Sequence, residues 1–227
     1  MKAKTTLFTI GLIVLMILAA YATIFFTISR IETVAAKPIA IACVGDSITE
    51  WSEYPKDLQN ILGKDYNVSN FGVAESAIST KWFKPYIKQK EFQESMDSEP
   101  TIVVIMLGTN DAHLAQSTDS LFNDYETLIA DYEALPGEQE IILVKPPPIY
   151  NNSLELNGSS LQSKIIPVIE QVASNKSLPV LDVNAAMMNH PEYFPDGVHP
   201  NSDGALAIAR EVGQAITFDD FNAGPPP

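Results

Sequence analysis

Residues 102–107, Ile-Val-Val-Ile-Met-Leu, form an unbroken apolar run that stops at Gly108. A run this short, with no polar alternation, reads as a β-strand buried on both faces, the pattern of a parallel sheet. Four other short runs read as strands, at 39–44, 67–71, 140–144 and 178–183. Helical segments separate them. Residues 54–62 read as a helix and 81–96 as a loop followed by a helix. Leu121, Tyr125, Leu128 and Tyr132 recur at helical spacing within 120–135, which Pro136-Gly137 ends. A helix at 161–173 carries Pro167 and is expected to kink there. The last helix covers 204–216, with Ser202 or Asp203 as its N-cap. Strands alternating with helices predict a parallel sheet with helices on both faces and right-handed crossovers.

The stretch from 7 to 28 contains no charged residue and follows Lys2 and Lys4. As a helix it would be about 33 Å long, enough to span a bilayer. The expected organisation is therefore residues 1–36 as a cytoplasmic stub, a transmembrane or signal-anchor helix and a linker, 37–217 as one catalytic domain, and 218–227 as a loose tail. The basic N-terminus predicts a single-pass, membrane-anchored chain whose domain lies outside the cytoplasm. The alternative is secretion after cleavage at the small residues Val34-Ala35-Ala36. From residue 37 onward there are 11 basic and 27 acidic residues, net −16. Such a surface repels nucleic acid. Only two arginines occur, Arg30 and Arg210, too few to build a bidentate clamp for an anionic substrate. Cys43 is the single cysteine, so no internal disulfide forms, and its apolar neighbours predict a buried thiol.

Parallel strands end on one edge of the sheet, and ligands bind beyond that edge. Gly45-Asp46-Ser47, Asn70-Phe71-Gly72 and Gly108-Thr109-Asn110-Asp111 each follow a strand directly, and Asp196-Gly197-Val198-His199-Pro200 follows the fifth after a loop. Ser47 is a candidate nucleophile, His199 its base and Asp196 the carboxylate that orients the imidazole. The Ser47 and Gly72 amides and the Asn110 side chain are candidate oxyanion donors. Each has a plainer reading. Ser47 with Glu50 fits a helix capping box, Asn110-Asp111 fits an Asx turn, Gly72 fits a turn of positive φ, and His199 fits a loop histidine. Trp51, Trp82, Phe83 and Tyr150 are candidates for a wall against a sugar or acyl chain, or for the core. His113 and His190 read as surface histidines. Asp111 and His113 without a third ligand are too few for zinc.

These four blocks, in this order, resemble the GDSL or SGNH hydrolase family, and the resemblance spans residues 39–217. It implies a three-layer α/β/α flavodoxin-like fold with a five-stranded parallel sheet. It implies Ser47, Asp196 and His199 as the catalytic set, an oxyanion hole from Ser47, Gly72 and Asn110, and no metal or cofactor. The Gly-x-Ser-x-Gly elbow of α/β-hydrolases is absent. Lys-Pro-Pro-Pro-Ile-Tyr and Phe-Pro-Asp-Gly-Val-His-Pro-Asn are similar to the branch that contains carbohydrate acetylesterases. Two positions depart from the pattern. Glu75 stands where many relatives carry a second glycine, and Trp51 where a small residue is common; both are counted with Trp82 and Tyr150 as candidate substrate contacts.

The expected function is a serine ester hydrolase that removes small acyl groups, acetyl foremost, from carbohydrates through an acyl-enzyme. Its expected partners are an acylated small molecule or carbohydrate and, through the N-terminal helix, a membrane, but no nucleic acid. The alternatives are a lipase or thioesterase for longer chains and a non-catalytic glycan-binding module.

Overall fold

The computed structural model describes residues 13–23, 37–113 and 118–217. The chain divides into two compact units, Met1–Lys37 and Pro38–Pro227. In the first unit residues 13–23 are helical and exposed. Among the described residues no helix is long and apolar enough to cross a membrane. This corrects the expected transmembrane or signal-anchor helix, and with it the membrane as a partner and single-pass anchoring as the localisation. Apolar composition alone does not make a span; about 20 residues must be helical in one piece. Positions 7–12 and 24–28 of that stretch, the sites at 34–36 and the tail at 218–227 lie outside the described residues.

The second unit is built on five parallel strands in the order β2-β1-β3-β4-β5. They are β1, Ile39–Gly45, β2, Tyr66–Gly72, β3, Ile102–Met106, β4, Glu140–Val144, and β5, Val180–Leu181. β5 is shorter than the apolar run at 178–183 because the Asp182 side chain accepts from the Ala185 N–H and starts a helix, Val183–Met187. Register pairs Gly45 with both Gly72 and Met106, so three strand ends finish level. The chain leaves β1 toward one side for β2 and returns to the other for β3. That reversal opens a crevice beyond β1 and β3, where ligands bind in open sheets.

Successive residues of a strand face opposite sides, and both sides here are covered. Ala42, Val44, Val103, Ile105, Ile141 and Leu143 pack with Tyr125, Tyr132, Ile169 and Val172. Ile41, Cys43, Val104, Met106 and Ile142 pack with Tyr54, Leu58, Ile208 and Val212. This makes three layers, with helices Thr118–Glu133 and Ile166–Lys176 on one face and Tyr54–Leu62 and Ser202–Thr217 on the other. Burial pushes the Cys43 thiol up to about 12, so it stays protonated in the core. Pro167 sits in the first turn of Ile166–Lys176, directly after a π-helical turn, Leu161–Ile165. There its missing N–H is least costly. Asn201, ahead of the expected Ser202 or Asp203, caps the last helix, its Oδ1 accepting from the Gly204 N–H at 3.0 Å.

Candidate active site

Ser47 opens a short helix, Ser47–Trp51, directly after β1. The cap is not its hydroxyl. Asp46 Oδ1 accepts from the Ile48 N–H at 2.9 Å, and the Glu50 carboxylate accepts from the Ala74 N–H instead of closing a capping box. Ser47 Oγ is thereby left to His199, whose Nε2 lies 2.9 Å away. His199 Nδ1 is 2.7 Å from Asp196 Oδ2. The other Asp196 oxygen accepts from the Val198 N–H at 2.9 Å and the His199 N–H at 2.7 Å. One carboxylate thus folds the loop and orients the ring it carries. Burial raises the Asp196 carboxyl, but the imidazole and the two backbone N–H groups outweigh it and hold it below the usual range. Gly197 has φ +86°, and a Cβ there would stand 2.3 Å from the Asn151 carbonyl oxygen. Its carbonyl accepts from the Tyr150 N–H at 2.8 Å, docking the 196–199 loop on the segment after β4.

Asp46 is fully buried next to the nucleophile. Burial pushes its carboxyl up to about 6, against the pull of the Ile48 N–H. A raised carboxyl is penalised in the folded state only where it ionises. The penalty is absent below about pH 4, grows up to about pH 6 and is constant above. Asp46→Asn keeps the capping oxygen and removes the charge. Relative to wild type, the variant should therefore be more stable at pH 7 than at pH 4, by on the order of 3 kcal/mol. Urea titrations at the two pH values measure this, and an equal difference at both would refute it.

The expected oxyanion donors separate. The Gly72 N–H donates to Asn70 Oδ1 at 2.9 Å and is already engaged. Gly72 serves close approach: a Cβ there would lie 2.2 Å from the Glu50 nitrogen. Glu75 instead lines the cavity around Ser47, and its N–H makes no hydrogen bond among the described residues. Residues 73–76 form a turn, the Ser76 N–H donating to the Val73 carbonyl at 3.1 Å. Glu75 occupies its third position with φ +64°. That position in a type II turn favours glycine or asparagine, and a left-handed residue with a Cβ costs about 1–2 kcal/mol. A glycine, which the family resemblance leads one to expect at this place, would adopt this conformation without that cost. Asn110 Nδ2 donates to the Ser76 carbonyl at 2.8 Å, which leaves its second amide hydrogen for the cavity. Asp111 is buried and holds the same loop, accepting from the Ile78 N–H at 3.0 Å and the Ser79 N–H at 2.9 Å. Its role is to pin the wall of the site, which the Asx-turn reading missed.

The cavity measures about 260 Å³ and is lined by Ser47, His199, Asn110, Glu75, Trp51, Trp82 and their neighbours. The Trp51 ring lies 5.0 Å from the His199 ring, tilted by 43°. Trp82 donates from Nε1 to the Glu75 carbonyl at 2.7 Å and meets the edge of His113 at 5.7 Å. His113 Nδ1 lies 3.0 Å from the Glu155 carbonyl oxygen, which joins the 150s segment to this wall. Tyr150 does not line the cavity. It lies in an adjoining groove, with its hydroxyl donating to the Met187 and Met188 carbonyls. His190 is also outside, stacked on Tyr193 and 2.8 Å from Glu192.

A model of the GDSL-like lipase/acylhydrolase family matches residues 43–207. An acetylxylan esterase from Xylanibacter ruminicola is 32% identical over 206 residues, which is 78% of this chain and 43% of the relative. The chain therefore spans less than half of that protein. Among solved structures, a carbohydrate acetylesterase from Sinorhizobium meliloti superposes with a TM-score of 0.65 at 15% identity, covering 79% of this chain and 98% of that one. A lipase/acylhydrolase from Enterococcus faecalis superposes with a TM-score of 0.63 at 23% identity, covering 83% and 98%.

Proposed function

The chain belongs to the GDSL-like lipase/acylhydrolase family, and on that premise we propose that it is a serine esterase that removes acetyl or similarly small acyl groups from carbohydrate hydroxyls. One observation carries the reading. Ser47 Oγ, the His199 ring and the Asp196 carboxylate form a continuous relay of 2.9 Å and 2.7 Å opening on a cavity.

In this reading His199 Nε2 takes the Ser47 proton as Oγ attacks the ester carbonyl. Asp196 keeps the Nδ1 proton in place and offsets the charge of the imidazolium. The tetrahedral oxygen is held by the Ser47 N–H, the Glu75 N–H and the Asn110 amide. His199 then gives its proton to the departing sugar oxygen, leaving an acyl-serine. Water, deprotonated by the same imidazole, attacks that ester and releases the acid. A cavity of about 260 Å³ is at the small end for organic ligands. It suits an acetyl group with part of a sugar ring lying against Trp51 and Trp82. The acetylxylan esterase relative supports the same substrate class.

A series of 4-nitrophenyl esters from two to twelve carbons tests the acyl preference. A maximum at the acetyl ester is expected; a maximum at eight carbons or beyond would assign a lipase or thioesterase. Labelling by a fluorophosphonate tests the nucleophile, and a folded protein that takes no label at Ser47 would favour a binding module. Asn110→Ala should lower kcat by about 10²–10³ with little change in KM, because its second amide hydrogen acts on charge that exists only in the transition state. A loss under tenfold would remove it from the oxyanion hole.

A further inference from the structure

Among the described residues, four non-glycine residues have left-handed backbones: Glu75, Glu99, Glu155 and Ser177. Glu99 and Ser177 follow the ends of helices Lys90–Asp97 and Ile166–Lys176, where such a residue is the ordinary stop. Glu75 and Glu155 end no helix. Each flanks the site. Glu75, at φ +64°, lines the cavity with Ser47 and His199; Glu155, at φ +58°, lines the groove beside it, and Leu156 is common to both. Their carbonyls hold the two rings that meet across the wall, Trp82 and His113. Both backbones are therefore kept in a costly conformation at functional positions.

The side chains carry the consequence. Neither carboxylate makes an ion pair or a hydrogen bond among the described residues. Among the described residues no lysine or arginine lines the cavity or the groove. Lys84, close behind the Glu75 turn, is bonded to the Ala74 carbonyl at 2.8 Å. The lining of the approach to Ser47 thus carries two solvent-exposed carboxylates and, among the described residues, no basic side chain, so its charge is net negative.

We propose that Glu75 and Glu155 act as an electrostatic filter that sets substrate specificity, admitting acyl esters of neutral or cationic alcohols and rejecting those of anionic ones. Neutral sugars and amino sugars fit this class; uronates and other acidic sugars do not. The inference rests on the esterase reading above and adds the charge of the alcohol to it.

The test uses three aryl acetates: 4-nitrophenyl acetate, 4-acetoxybenzoate and 3-acetoxy-N,N,N-trimethylanilinium. For each enzyme kcat/KM is taken as a ratio to the neutral ester, so that any change in the shared chemistry cancels. Glu75→Gln should raise the anionic ratio about 5–10-fold and lower the cationic ratio by a similar factor. Glu155→Gln should move both the same way but less, Glu75→Lys further, and 1 M salt should compress every difference. Ratios that stay within twofold of wild type in Glu75→Gln and Glu75→Lys would overturn the filter while leaving the esterase intact. A wild-type protein inert toward all three esters would overturn the esterase reading, and the filter with it.

Discussion

Ser47→Ala is expected to abolish ester hydrolysis, lowering kcat about 10⁴-fold or more, while the melting temperature stays close to wild type. The two halves of this result depend on different atoms. Catalysis needs Oγ, because no other hydroxyl lies within hydrogen-bonding distance of His199 Nε2 among the described residues. Stability does not need it, because the helix start is capped by Asp46 Oδ1. Had Ser47 been the cap, its removal would cost about 1 kcal/mol of stability and the assay would confuse misfolding with lost chemistry. Thermal denaturation and turnover on the same preparation separate the two. Substantial residual turnover would exclude Ser47 as the nucleophile, and a large fall in melting temperature would show that its hydroxyl holds the fold.

Asp196→Asn is the second large effect, about 10⁴-fold in kcat. The substitution keeps an oxygen for the Val198 and His199 N–H groups, so the loop retains its shape. It changes the group that faces His199 Nδ1, now 2.7 Å from a carboxylate oxygen. An amide NH₂ there donates, which turns Nδ1 into the acceptor and moves the ring proton to Nε2. That nitrogen then cannot take a proton from Ser47. Fluorophosphonate labelling should slow in parallel with turnover, since both need the serine proton removed. The pH dependence of stability adds an independent check. Asp196 is held below its ordinary range in the folded state. Its contribution to stability is therefore full above about pH 4 and is lost as the pH falls through the folded value. The stability gap between wild type and Asp196→Asn should close on acidification. A gap unchanged down to the acid limit of folding would show that the carboxylate does not interact as described.

The Gly72 amide, taken by Asn70, shows where residue patterns stop being informative. Asn-x-Gly after a strand marks a turn with an available N–H, and in sequence only Gly72 fits that description. Which amide is available depends on which acceptors surround each one. Asn70 Oδ1 takes the Gly72 N–H from two residues away, whereas the Glu75 turn is set by Asn110 and Asp111, more than 30 positions along the chain. The same limit applies to Tyr150, an aromatic that follows β4 but is turned into the neighbouring groove by the carbonyls of Met187 and Met188. At the N-terminus, hydropathy supplies an apolar stretch, but among the described residues no helix is long and apolar enough to cross a membrane.

The sequence by itself determined the sheet and the edge on which the chemistry gathers. Apolar periodicity is set by local burial, and parallel strands must end together. It also determined the pairing of Asp196 with His199, since three residues of one loop hold them in reach. Only the tertiary structure decided that Ser47 meets that imidazole across 152 positions. It alone decided that Asp46 rather than Ser47 caps the helix, and that Asn70 takes the Gly72 amide while Glu75 lines the cavity. Hydrogen-bond partners in a crevice are settled by packing between distant segments, and a donor's availability is a property of everything that surrounds it.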